Sequence, residues 1–301
     1  MDWKRFASGV ILSVFGLAML LACAAELPQP TLTQPAPPSP TPTTAAPTAV
    51  PTPNLPIQID LSAELTIRQI RPDVYVITHS FPWPANSLLV EMENDTLVLV
   101  DTPYTPEATQ QVLDWFAERL GQREIIAINT GFHTDNLGGN AYLVAQNIPV
   151  YGSELTAQLL EERGETMRAD TLAALSAPQD IAYYQAHKMV VYTPPTYLFD
   201  LAENPELKIG DEGVQIYYPG ASQAPDKLAV YFPGQKLLFG SCMVIGWEQV
   251  GNTADADLNS WPDAVRALSQ FDAQLVIPGH GERLDPDLLA HTIALLADFQ
   301  E

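Results

Sequence analysis

Glu124–Gly139 reads EIIAINTGFHTDNLGG. An apolar run, EIIAINT, breaks into a loop that carries His133 and Asp135 and ends on the glycine pair Gly138-Gly139, after which another helical stretch begins. Apolar residues in a short run bounded by turn signals read as a strand inside a sheet. Two side chains able to bind a metal or move a proton therefore follow directly on a buried strand.

Upstream of this stretch, β-rich runs come close together at Leu65–Ile70, Val74–His79, Ser87–Glu93 and Thr96–Asp101, separated by short polar turns such as Asn94-Asp95. Spacing of that kind suggests antiparallel pairing. Thr105-Pro106-Glu107 supplies an N-cap, a first-turn proline and a first-turn acid, and Val112, Leu113, Phe116 and Leu120 follow at helical spacing up to Gly121. Downstream, Ser153 to about His187 is helical in pattern, with Leu155, Leu159, Leu160, Leu172 and Leu175 as candidate buried positions. Strands are expected again at Tyr197–Asp200, Val214–Tyr218, Lys227–Phe232, Lys236–Phe239 and Gln274–Ile277, with a helix around Leu258–Leu268 and a last one from Pro286. Strand-rich and helix-bearing stretches alternate in two comparable halves, which fits two sheets packed face to face with helices outside better than one parallel sheet.

Three ligand-type residues stand at strand-to-loop junctions: Asp135, Cys242 in LLFGSCMV and His280 in LVIPGHGE. A carboxylate, a thiolate and an imidazole leave one tetrahedral position for water or substrate, the stoichiometry of a catalytic zinc. Taken singly, each has a structural alternative: a helix cap, a small buried hydrophobe and a hydrogen-bonded turn residue.

Six blocks, LVLVDT with Asp101, NTGFHTDNLGGNAY, YPGASQAPDKLAVYFP, LLFGSCMV, GNTADADLNSW and IPGHGE, follow one another in order. Through them residues 65–301 resemble the metallo-β-lactamase fold, and within it the zinc β-lactamases that use a cysteine ligand. The resemblance implies an α/β chain folded as an αββα four-layer sandwich, with the metal site at one end between the sheets. It implies zinc on Asp135, Cys242 and His280, and a role for Asp101 in bracing the metal-ligand loop by hydrogen bonds. Asn252 matches a family residue near the substrate carbonyl, with a turn after Gly251 as the alternative. The family's other site, built from three histidines, falls here on Gly131, His133 and Gln223. Neither glycine nor a glutamine amide replaces the lost ligand strength, so one zinc is expected.

The mono-zinc subclass is similar to this chain at INTGFHTDNLGGNAY and KLAVYFP. His133 is then a candidate general base, a role Asp135 shares only if its second oxygen is free. The lysine that commonly binds the β-lactam carboxylate is Ile245 here, and Lys227 and Arg283 are the nearest basic residues. His79 borders the loop HSFPWPAN, where Phe81 and Trp83 either wall a substrate or pack the hairpin. His187 and His291 have no partner motif. The resulting expectation is a zinc-dependent hydrolase acting on a small-molecule substrate, most concretely a β-lactam amide. Alternatives are hydrolysis of another ester, lactone or amide, or a catalytically silent metal- or ligand-binding lipoprotein.

Residues 1–22 have Lys4 and Arg5 ahead of an apolar run ending at Leu20-Leu21-Ala22, followed by Cys23. The run is short for the ~20 residues of a spanning helix, and the layout is that of a secretory signal. Leu20–Cys23 resembles the bacterial lipobox, which implies lipidation of Cys23 and an exported, membrane-anchored lipoprotein. Residues 27–56 hold 11 of the 27 prolines and seven threonines with no charged side chain, so residues 23–56 read as a lipidated cysteine and a semi-stiff spacer. The fold is expected in 57–301, as a monomer. Its net charge of −22 excludes nucleic acid as a partner, because phosphate binding needs a surplus of Lys and Arg.

Overall fold

The structure is a computed structural model that describes Leu55–Gln300; the signal segment, Cys23 and most of the proline-rich spacer lie outside the described residues. Eight strands form the first sheet in chain order: β1 (Ile57–Asp60), β2 (Leu65–Arg71), β3 (Val74–Ser80), β4 (Pro84–Glu91), β5 (Leu97–Val100), β6 (Ile125–Ile128), β7 (Val150–Ser153) and β8 (Tyr197–Phe199). Pairing is antiparallel up to β5 and parallel from β5 to β8. The second sheet has the order β13-β12-β11-β10-β9 and contains β9 (Glu206–Ile209), β10 (Glu212–Tyr217), β11 (Ala229–Phe232), β12 (Leu237–Phe239) and β13 (Leu275–Ile277). Only its β12–β13 pair is parallel.

Both faces of each sheet are covered, which is why LVLV in β5 is buried throughout. Alternation sends Leu88 and Val90 of β4 and Val98 and Val100 of β5 toward the second sheet, where Val230, Phe232, Leu237 and Phe239 meet them. Leu89, Leu97 and Leu99 point the other way, against Val112, Leu113 and Phe116 of α1 (Pro106–Leu120). The Thr105 hydroxyl caps α1 by accepting from the Ala108 N–H at 3.2 Å, and the helix stops at Gly121, as the sequence indicates. The outer face of the second sheet packs on Trp261 and Val265 of a helix spanning Trp261–Ala267 and on Leu288 and Leu296 of one spanning Leu288–Gln300. The order is helix, sheet, sheet, helix, the expected four layers.

Between them lie α2 (Thr134–Leu137), α3 (Asn140–Ala145), α4 (Glu154–Ala174) and α5 (Ile181–Met189), making the Trp261 helix α6 and the C-terminal one α7. The helical stretch expected from Ser153 to His187 is thus two helices, parted where Pro178 opens a short 3-10 turn. Leu159, Leu160 and Leu175 are buried, whereas Leu155 and Leu172 are only partly covered. Strands β1, β7 and β9 were not expected. β1 (IQID) and β9 (ELKI) are half-exposed edge strands with polar residues between the apolar ones, and β7 (VYGS) ends in a glycine and a serine, so none forms the continuous apolar run that marks β5. Lys227 and Leu228 precede β11 rather than belonging to it. Among the described residues no helix is long and apolar enough to cross a membrane.

Candidate metal centre

Loops leaving the C-terminal ends of the parallel strands converge at one end of the sandwich. Asp135 lies in the first turn of α2 after β6, Cys242 in a 3-10 turn after β12, and His280 in the loop after β13. Oδ2 of Asp135 is 3.3 Å from Sγ of Cys242 and 3.1 Å from Nε2 of His280. All three ligand atoms lie within 4.8 Å of one another, although more than a hundred residues separate Asp135 from the other two.

Backbone geometry aims each ligand. Ser241, directly before Cys242, is left-handed with φ of 52°, an uncommon state for a residue with a Cβ that turns the chain sharply after β12. Gly279 lies so close to this turn that a Cβ on it would come within 2.5 Å of the Cys242 nitrogen. Only glycine lets the two ligand loops meet. The buried Asn86 of β4 donates from Nδ2 to the carbonyls of Pro278 and Gly281 at 3.1 and 2.8 Å, clamping the His280 loop from the first sheet. Nδ1 of His280 lies 2.7 Å from the Pro84 carbonyl oxygen. A carbonyl only accepts, so Nδ1 carries a proton. Burial works to lower the imidazole, but Cys242 and Asp135 outweigh it, so without metal Nε2 is protonated as well and donates to Asp135, and a metal ion would displace that second proton.

Asp101 is hydrogen-bonded to the loop that carries Asp135. Left-handed at φ 58°, it accepts from the Thr130 N–H at 2.7 Å, the Thr130 hydroxyl at 2.6 Å and Nδ2 of Asn136 at 2.9 Å. Burial pushes its carboxyl up to about 7 against those hydrogen bonds and the nearby Lys227 charge. Asn136 also reaches Sγ of Cys242 at 3.7 Å, and the Thr130 hydroxyl lies 2.5 Å from that of Ser241. One network therefore holds the ligand-bearing loops of both sheets. Burial alone would raise Asp135, but the His280 imidazole, Lys227 and His133 outweigh it and hold the carboxyl well below the usual carboxylate range. A carboxylate held ionised, a cysteine sulfur and an imidazole with a fixed tautomer are a donor set that fits zinc.

His133 lies two residues before Asp135 and is not one of the three converging donors. Its Nε2 lies 3.0 Å from Oδ2 of Asp255, whose other oxygen accepts from Arg163 of α4 at 3.1 Å. The hydrogen bond to His133, aided by Arg163, holds the Asp255 carboxyl below its ordinary value in spite of burial. Asn252 uses its Oδ1 to accept from the Ala254 N–H at 3.0 Å, the turn geometry given above as its alternative. Gln223 donates from Nε2 to the Asn252 carbonyl at 3.2 Å, while its Oε1 is buried without a partner. Ile245 is buried in the apolar cluster under α6 and α7. Arg283 pairs with Asp285, whereas Lys227 reaches the site from inside the fold.

Phe81 packs the hairpin. It stacks on His79 with ring centroids 4.8 Å apart and meets His187 at 5.3 Å, and its carbonyl lies 3.0 Å from Nε2 of His187. Trp83 stays 43% exposed at the loop tip. His187 therefore ties α5 to the hairpin, and α4 borders the site through Arg163 and through Met167 next to Thr134. His291 meets the Trp247 carbonyl at 2.7 Å from Nε2. Asn86, Asn136, Thr130, Ser241 and Asp255 were not singled out in the sequence; only their positions within the quoted blocks or beside them set them apart.

The family model "Metallo-beta-lactamase superfamily" matches residues 80–280. A "Metallo-beta-lactamase type 2" of Pseudomonas aeruginosa is 31% identical over 206 residues, covering 68% of this chain and 71% of that protein. One of Bacillus cereus is 29% identical over 241 residues, covering 77% and 82%. Among solved structures, a "Metallo-beta-lactamase from Pontibacter korlensis" superposes with a TM-score of 0.65 at 32% identity, covering 78% of this chain and all of that one.

Proposed function

The chain belongs to the metallo-beta-lactamase superfamily of zinc hydrolases, and from that premise we propose that it opens the amide bond of a β-lactam at a site holding one zinc on Asp135, Cys242 and His280. The observation that carries this reading is the convergence of those three donors within 4.8 Å, with the His133–Asp255 pair beside them. When bound, zinc supplies positive charge that polarises the scissile carbonyl or stabilises the departing nitrogen.

The chain's own residues do the rest. Asp255 accepts a hydrogen bond from the Nε2–H of His133, which leaves Nδ1 with its lone pair as the acceptor for a water proton. Water oxygen joins the carbonyl carbon, the carbon–nitrogen bond breaks, and the proton on Nδ1 passes to the amide nitrogen. Asp255 steadies the imidazolium in between, and Arg163 steadies Asp255. Asp101, through Thr130 and Asn136, keeps the ligand loops in register during turnover.

The test is direct. The protein lacking its first 56 residues is purified, its zinc content measured, and carbapenem and cephalosporin hydrolysis followed at saturating zinc. Absence of turnover rejects the β-lactam reading. One observation favours a second substrate class: with a buried Ile245 and a net charge of −22, an uncharged ester, lactone or amide would meet less repulsion than a carboxylate-bearing one. Comparing neutral and anionic substrates of equal reactivity separates the two. We place the enzyme outside the cytoplasm on a lipidated Cys23, which mass spectrometry of the membrane fraction would test.

A further inference from the structure

Lys227 is fully buried, an unusual state for a lysine. Its Nζ donates to Oδ1 of Asn136, the residue whose amide nitrogen reaches both Asp101 and Cys242. Position 131 carries no side chain, and a Cβ built there would come within 2.8 Å of the Lys227 Nζ, 3.1 Å of Cδ and 3.2 Å of Cε. Gly131 does not have the left-handed φ that would itself demand glycine. What meets a side chain at 131 is the lysine, whose full burial leaves it little room to give way.

We propose that Lys227 is a resident cation of the metal centre, occupying the space beside Gly131 and compensating the buried anions of the site so that it takes a single metal ion. The charge inventory supports this. Burial works to lower the ammonium, but Cys242, Asp135, Asp226 and Asp101 together hold it above its ordinary value. A fixed positive charge beside the donors also repels a dication, so the centre binds zinc more weakly than its donor set alone would.

This inference rests on the zinc reading of Asp135, Cys242 and His280, and its test separates the two. Zinc stoichiometry is read by elemental analysis and affinity by competition with a chromophoric chelator, for the wild-type protein and for Lys227→Met. The expected result is one zinc per chain in the wild type under excess zinc, and binding at least tenfold tighter in Lys227→Met. Two zincs in the wild type, or unchanged or weaker binding in the variant, overturns the proposal. Thermal unfolding of the metal-free protein tests the spatial half. Gly131→Ala lowers the melting temperature by at least 5 °C in the wild-type background and has no such effect alongside Lys227→Ala. If Gly131→Ala is neutral or stabilising with Lys227 present, as such a change is at an unobstructed position, the pairing is wrong. A wild-type protein that binds no zinc removes the functional reading, and the coupling between positions 131 and 227 still decides whether the lysine fills the site. Should Lys227→Met fold only with zinc present, the metal has replaced the ammonium, as expected; should it fold in neither condition, the Gly131→Ala result decides.

Discussion

Nε2 of His133 and Oδ2 of Asp255 lie 3.0 Å apart, joining the loop after β6 to a segment 122 residues later. A carboxylate at that place can only accept, which assigns the imidazole proton to Nε2 and leaves Nδ1 basic. Asp255→Asn offers an amide donor instead and reverses the assignment. The expected outcome is a fall in kcat of about 10²–10³, in the range general-base catalysis supplies, with KM little changed. Asp255→Glu should recover part of the loss. Steady-state kinetics with a fall below threefold would remove the pair from the mechanism.

Cys242 is buried but belongs to none of the apolar core clusters, and in the proposed centre it is a metal ligand. Cys242→Ser keeps the size and removes the thiolate, so zinc affinity should drop at least ~100-fold. The melting temperature of the metal-free protein should change little. Chelator competition and thermal unfolding, run side by side, check both.

Asp101 satisfies three buried donors on Thr130 and Asn136. Asp101→Ala strands them, which should cost about 2–4 kcal/mol and weaken zinc binding about 10–100-fold through the loosened loops. Urea unfolding and chelator competition measure the two effects. A destabilised variant with undiminished zinc affinity would show that Asp101 supports the fold alone.

Acid should weaken the hairpin anchor. Burial, with the neighbouring His187 adding to it, lowers His79 from 6.5 to about 4. Below pH 6.5 the unfolded chain takes up a proton that the folded chain refuses, so stability is lost as pH falls toward 4. The loss is ~2 kcal/mol between pH 7.5 and 5. Asp101, raised to about 7, acts with opposite sign in that interval, because the folded state binds its proton first. Urea unfolding of metal-free wild type and His79→Gln isolates the histidine: the wild type should lose ~2 kcal/mol relative to the variant across that range. Parallel curves would refute it.

Much of this was legible in the chain. The strand ahead of His133 and Asp135 and the capped helix after Thr105 rest on local signals, apolar runs and a hydroxyl before a proline, whereas the donor set Asp135, Cys242 and His280 stood out only through the ordered blocks that resemble the family. Strands β1, β7 and β9 were not legible, since IQID, VYGS and ELKI mix apolar with polar or small residues and acquire their identity from the neighbour each pairs with.

By itself, then, the amino-acid sequence determined the two-sheet α/β architecture and the chemistry available to the metal centre. Burial periodicity and ligand type are properties of residues and their near neighbours. Tertiary structure alone decided how that chemistry is held. The orientation of His133 by Asp255, the tautomer of His280 set by Pro84, the clamp of Asn86 on the His280 loop and the burial of Lys227 against Gly131 all join segments far apart in the chain. Such pairs are chosen by strand register and by the need to satisfy polar groups that packing has removed from water, and no local pattern announces them.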